Sequence, residues 1–149
     1  MPGPLKVLLA LAALSTMLSI AGCATVPWYT HLSPKECLER AMYFESNRSS
    51  EEGMLAVGTV VMNRVGAPGY PATICGVVGQ PGQFAPTMRQ PMRGPGLALA
   101  SEVADRILAG ARHPALPYTT HFHTAGLTFP YHNMHYVLEA GGNAFYEIY

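Results

Sequence analysis

The chain has 149 residues, and its 9 basic and 9 acidic side chains cancel at neutral pH. That balance offers no basic footprint for nucleic acid and leaves uncharged polymers such as glycans open as partners.

Lys6 precedes an apolar run from Val7 to Leu14 that continues through Leu18-Ser19-Ile20. The run is too short and too interrupted for a spanning helix and has the build of a signal-peptide h-region. Ile20-Ala21-Gly22-Cys23 resembles a bacterial lipobox. It predicts that residues 1–22 are a lipoprotein signal peptide and that Cys23 carries lipid; a plain secretory signal is the alternative. Two or more acyl chains would hold the protein stably on a membrane. Ala24 and Thr25 follow, with no acidic residue, so the expected address is the cell envelope, on the periplasmic face of the outer membrane where the host has one. Residues 23–32 read as a tether, and residues 33–149 as one domain large enough to bury a core.

A helix is predicted over about 34–47. Ser33 suits the N-cap, Pro34 the first helical position, and Glu36 completes a capping box. Cys37, Leu38, Ala41 and Met42 form one apolar stripe at helical spacing, with Lys35, Glu39, Arg40 and Tyr43 elsewhere around the wheel. Glu45 projects into that stripe. A carboxylate there is costly unless paired or protonated, and burial raises its pKa toward that of a general acid. A buried Glu paired with Arg64 or a backbone donor is the plainer alternative.

Ser50 opens a second helix, about 51–65, apolar nearly all round and therefore central. Residues 66–96 are rich in proline and glycine and read as a long ordered loop with a short helix near 73–78. A third long helix, about 97–109, ends at Gly110 as its C-cap. From Pro117 the pattern turns to β-formers: residues 118–124, 136–139 and 144–148 are expected strands, the last two joined by Gly141-Gly142-Asn143. Helices followed by a small antiparallel sheet define an α+β fold. In an oxidising compartment Cys37 and Cys75 are expected to form a disulfide, closing a loop of about forty residues and contributing about 3–4 kcal/mol; two buried thiols are the alternative.

Together, ECLERAMYFESNRSSEEGMLAVGTVVMNRV, the later P-x-T-I-C-G-V-V-G-Q, Gln83-Phe84, Thr120-His121-Phe122-His123-Thr124, Phe129-Pro130-Tyr131 and Gly-Gly-Asn-Ala-Phe-Tyr resemble the bacterial cell-wall hydrolase family of the SleB/CwlJ type, which includes spore-cortex-lytic enzymes. The resemblance implies a lysozyme-like helical lobe with a small sheet, and cleavage of peptidoglycan glycan strands by a lytic transglycosylase or muramidase. Glu45 falls on the family's catalytic acid, the first Glu of a motif often reading E-A-R-G-E. The chain departs from the pattern at Asn47-Arg48, Ser49, Gly82, His132 and Asn143, the last standing where a His is usual.

No second carboxylate announces itself among Glu36, Glu39, Glu51, Glu52, Glu102, Asp105, Glu139 and Glu147, which suits a single-Glu mechanism without metal or cofactor. Gln83, Phe84, His123, Tyr131 and Tyr146 are candidate sugar contacts. Asn63 and Arg64 are candidate supports. His121 and His123 share a strand face and, with His132 and His135, motivate a rival zinc amidase. A non-catalytic peptidoglycan-binding lipoprotein is the third reading. A monomer is expected.

Overall fold

The computed structural model describes residues 25–149; the leader, Cys23 and its lipidation lie outside the described residues. The first helix, α1 (Pro34–Glu45), opens on the expected capping box: Glu36 N–H donates to Ser33 Oγ, and Ser33 N–H donates to Glu36 Oε2 at 2.7 Å. It stops at Glu45 rather than at Asn47. Ser46 turns extended, and the Asn47 N–H donates to Gly141 O at 2.8 Å instead of continuing the helix.

Neighbours surround α1. Against it pack α2 (Glu51–Arg64), α3 (Ile74–Val78), α4 (Pro95–Leu108) and a 3₁₀ turn at Pro86–Arg89. An enclosed helix buries more than one stripe, so Glu39 and Tyr43, off the apolar stripe of the wheel, are buried too. Glu39 lies 3.8 Å from Lys35, and Tyr43 donates its hydroxyl to Arg93 O. Ala56, Val57, Val60 and Val61 make α2 the centre of the core. Cys37 and Cys75 form the expected disulfide, tying α1 to α3. Helix α4 begins at Pro95, a favoured first-turn residue, and its C-cap is Ala109. Gly110 is the following residue, in the left-handed region at φ +108°.

Strands β1 (His121–Thr124), β2 (Met134–Ala140) and β3 (Asn143–Ile148) form an antiparallel sheet in the order β1-β3-β2. Tyr118 and its two successors do not join β1. The carbonyls of Thr119 and Thr120 are taken by the side chains of Asn63 and Arg64, at 3.0 and 2.8 Å, instead of by a ladder. Asn143 belongs to β3 rather than to the turn, pairing with Thr124 and Ala140. The sheet meets the helices where Gly141 lies against Gly53. A Cβ on Gly53 would come within 2.4 Å of Gly141 Cα, so no larger residue fits without movement. The described residues make an α+β fold, four α-helices with a three-stranded sheet.

Residues of the expected tether pack as well. Trp28, Tyr29 and Leu32 lie against the core, with the Tyr29 ring seated on Gly79.

Candidate active site

Glu45 is the last residue of α1, so its backbone carbonyl has no successor in the helix to bond. Asn143 supplies the donor, its Nδ2 reaching Glu45 O at 2.5 Å from β3. Ser46 Oγ donates to Met42 O at 2.6 Å in the same turn. The Glu45 side chain is half-buried, and its Oε1 accepts the Ala85 N–H at 2.5 Å from the long loop. Burial raises its pKa, opposed by that N–H and by the charge of Arg64. A carboxyl pushed up in this way keeps its proton nearer neutrality and is able to act as a general acid.

Arg64 ends α2 with only 4% of its surface exposed. Its guanidinium donates from Nε to Thr120 O and is enclosed by the rings of Tyr70, Phe84 and Phe122, whose centroids lie 5.4, 5.5 and 5.7 Å away. Burial lowers its pKa, but a guanidinium stays charged in proteins. Nη1 has no hydrogen-bond partner, and Arg64 belongs to none of the ion pairs among the described residues. It therefore acts on Glu45 through space. Asn63 is a structural tie, its Nδ2 donating to Leu116 O and Thr119 O.

Three of the expected sugar contacts converge. His123, Tyr131 and Tyr146 share a cavity of about 290 Å³ with Phe129 and Asn133. His123 Nε2 pairs with Tyr136 Oη at 2.9 Å, and Tyr131 stacks nearly parallel on Phe129. Gln83 is exposed and apart from them, whereas Phe84 turns inward beside Phe122. A larger groove, about 970 Å³, runs between Trp28-Tyr29 and the loop bearing Gln80, Phe84 and Ala85. Glu45 lines neither space. The groove approaches it through Ala85.

Most other acids are engaged elsewhere: Glu36 with Ser33, Asp105 and Glu39 with Lys35, Glu51 with Arg106, Glu52 with His113, and Glu147 with Thr119, while Glu102 and Glu139 are exposed. His121 and His123 do share a face, both rings lying against Tyr146, while His132 and His135 are exposed. Among the described residues no three His, Cys, Asp or Glu side chains converge as metal ligands. Burial, with the charge of Arg64, lowers the His121 pKa.

Two contributors escape a sequence reading. Ala85 acts by its backbone N–H, which carries no side-chain signal. Asn143 stood out only as a departure from a family pattern, yet it holds the carbonyl of Glu45.

An enclosed helix ends in a half-buried Glu and is braced by a small sheet, and a model of the Cell Wall Hydrolase family matches residues 48–146. The chain belongs to that family, as its motifs suggested; ECLERAMYFE, with Glu45, precedes the matched residues. Among solved structures it is similar to the catalytic domain of the germination-specific lytic transglycosylase SleB from Bacillus anthracis, at 21% identity and TM-score 0.62, covering 76% of this chain and 93% of that one. It is also similar to the catalytic domain of the Bacillus cereus SleB protein, at 19% identity and TM-score 0.63, covering 76% and 89%. At these identities the likeness is one of fold. Comparison with curated proteins found no match.

Proposed function

We propose that the protein cleaves the glycan strands of peptidoglycan as a lytic transglycosylase, with Glu45 as its one acid and base. The observation that carries this reading is the half-buried Glu45 carboxyl, raised in pKa by burial and oriented by the Ala85 N–H. Protonated Glu45 donates to the oxygen joining N-acetylmuramic acid to N-acetylglucosamine, and that C–O bond breaks. The resulting carboxylate then takes the proton of the muramic 6-hydroxyl as its oxygen closes on C1. The product is a 1,6-anhydro ring, Glu45 ends protonated, and no water is consumed. Engagement of most other acids in separate contacts supports a one-carboxylate route over a two-carboxylate one.

His123, Tyr131 and Tyr146 bind sugar in the sheet cavity, through stacking and a few hydroxyl contacts. Gln83 contacts the strand from the exposed loop, and Phe84 holds that loop from within. Cys23 carries the lipid that keeps the enzyme, as a monomer, on the membrane beside its substrate.

The test is digestion of purified peptidoglycan by the soluble domain and by Glu45→Gln, with fragments read by mass spectrometry. Anhydro-muropeptides from the wild type alone are expected. Reducing-end muropeptides would make the enzyme a muramidase, free stem peptides would move the chemistry to the histidines, and sacculus binding without cleavage would leave a binding protein. Lipidation is checked by labelling the full chain with a fatty-acid analogue, which Cys23→Ser should abolish.

A further inference from the structure

A buried cation without a carboxylate is costly, and Arg64 is in that position. Its surroundings show how the charge is tolerated: three aromatic faces enclose it, one carbonyl takes Nε, and the Tyr70 side chain gives it a further polar contact. They do not show why it is there, since Nη1 bonds to nothing. The nearby acid that still lacks a formal partner is Glu45. The two share one loop: Phe84 packs on the guanidinium, and the next residue, Ala85, holds Glu45 Oε1.

We propose that Arg64 is a positioning residue for the acid, a caged counter-charge that stabilises the carboxylate Glu45 becomes once its proton has gone to the glycosidic oxygen. The proposal rests on the reading of Glu45 as the acid. Its logic is one of distance. A direct ion pair would fix Glu45 as an anion and leave it no proton to give. A cation held back by aromatic walls lets burial favour the protonated acid at rest and steadies the anion when it forms, in a half-buried site where water screens less than in bulk. The other groups facing this pair are His121 from β1, Tyr146 from β3 and Tyr70 from the long loop. His121 is held toward its neutral form by burial and by Arg64, and Tyr146 is pushed up by burial, so Arg64 is the fixed charge of the set.

The experiment measures kcat/KM on purified peptidoglycan against pH for wild type, Arg64→Lys and Arg64→Gln. Loss of the counter-charge makes Glu45 hold its proton more tightly. The alkaline limb of Arg64→Gln therefore moves to higher pH while kcat falls at least about tenfold. Arg64→Lys, still charged, keeps the limb near that of the wild type. A folded Arg64→Gln whose limb does not move overturns the proposal. Should Arg64→Gln fail to fold, Arg64→Met, which keeps an apolar stem among the three rings and removes the charge, takes its place. The same upward move of the alkaline limb supports the proposal, and a limb that stays put overturns it. Glu45→Gln as a single variant separates the two claims. If it retains activity, the acid is misassigned; if it is inactive while the Arg64→Gln limb stays put, only the counter-charge fails.

Discussion

Asn143 donates its side-chain amide to the backbone carbonyl of Glu45, at 2.5 Å, joining the third strand to the end of the first helix across 98 positions of sequence. Asn143 is nearly enclosed, at 5% exposure, so deleting its amide leaves a sheltered carbonyl without a donor. Asn143→Ala is expected to lower stability by about 1–3 kcal/mol. It should also lower kcat more than it raises KM, because it frees the acid and not the sugar contacts. Denaturant unfolding and steady-state kinetics check both parts. An unchanged kcat in a folded variant would detach Asn143 from the site.

Glu45 should set a pH signature on stability. Its pKa is raised in the folded protein, so the native state holds that proton more tightly than the unfolded chain does. Stability from the neutral carboxyl is complete below the unfolded pKa and is lost as pH rises through the folded one. Glu45→Gln keeps the shape and removes the titration. The variant is expected to melt above the wild type near about pH 7 and to converge with it near about pH 4, while activity falls about 10²–10⁴-fold. Melting curves across that range give the answer, and a constant difference would mean that Glu45 does not titrate as described.

Tyr131 is 64% exposed and stacks on Phe129 at the rim of the sheet cavity. An aromatic ring so placed adds little to the core. Tyr131→Ala is expected to leave the melting temperature unchanged and to weaken retention on purified sacculi several-fold, from the loss of about 0.5–1.5 kcal/mol of stacking. Equal retention by wild type and variant in a pelleting assay would remove Tyr131 from the sugar contacts.

Gly53 tests the junction between helices and sheet. Alanine would favour helix α2 by up to about 1 kcal/mol, but its Cβ would meet the Gly141 backbone at 2.4 Å. Backbone does not yield as a flexible side chain would. Gly53→Ala is expected to destabilise by about 1–3 kcal/mol net, with the hairpin displaced and activity reduced along with it. A neutral or stabilising result in equilibrium unfolding would show that the sheet moves freely against α2.

The helices were legible in sequence because their signals are local. Ser33, Pro34 and Glu36 mark the start of α1 by chemistry confined to four residues, and the apolar run of α2 states its own burial. Glu45 was found by the same local logic, as a charge in an apolar stripe. What lay outside reach depends on partners distant in sequence. The wheel set Glu39 and Tyr43 off the one apolar stripe, whereas α1 is packed from several sides and buries them too. Strand β1 begins late because Asn63 and Arg64, more than fifty positions earlier, occupy the carbonyls that a ladder would use. The bond from Ala85 to Glu45 is invisible in principle to a side-chain reading, since any residue but proline offers the same N–H.

The seat of Tyr29 on Gly79 also sets a length. With Trp28, Tyr29 and Leu32 fastened to the core, only residues 24–27 stand between Cys23 and the first side chain so held. Five residue steps reach about 17 Å at full stretch. A lipid at Cys23 would then hold the enzyme like a rivet, not a leash: it would glide across the bilayer with its groove close to the headgroups, and only wall material lying against that membrane would come within range.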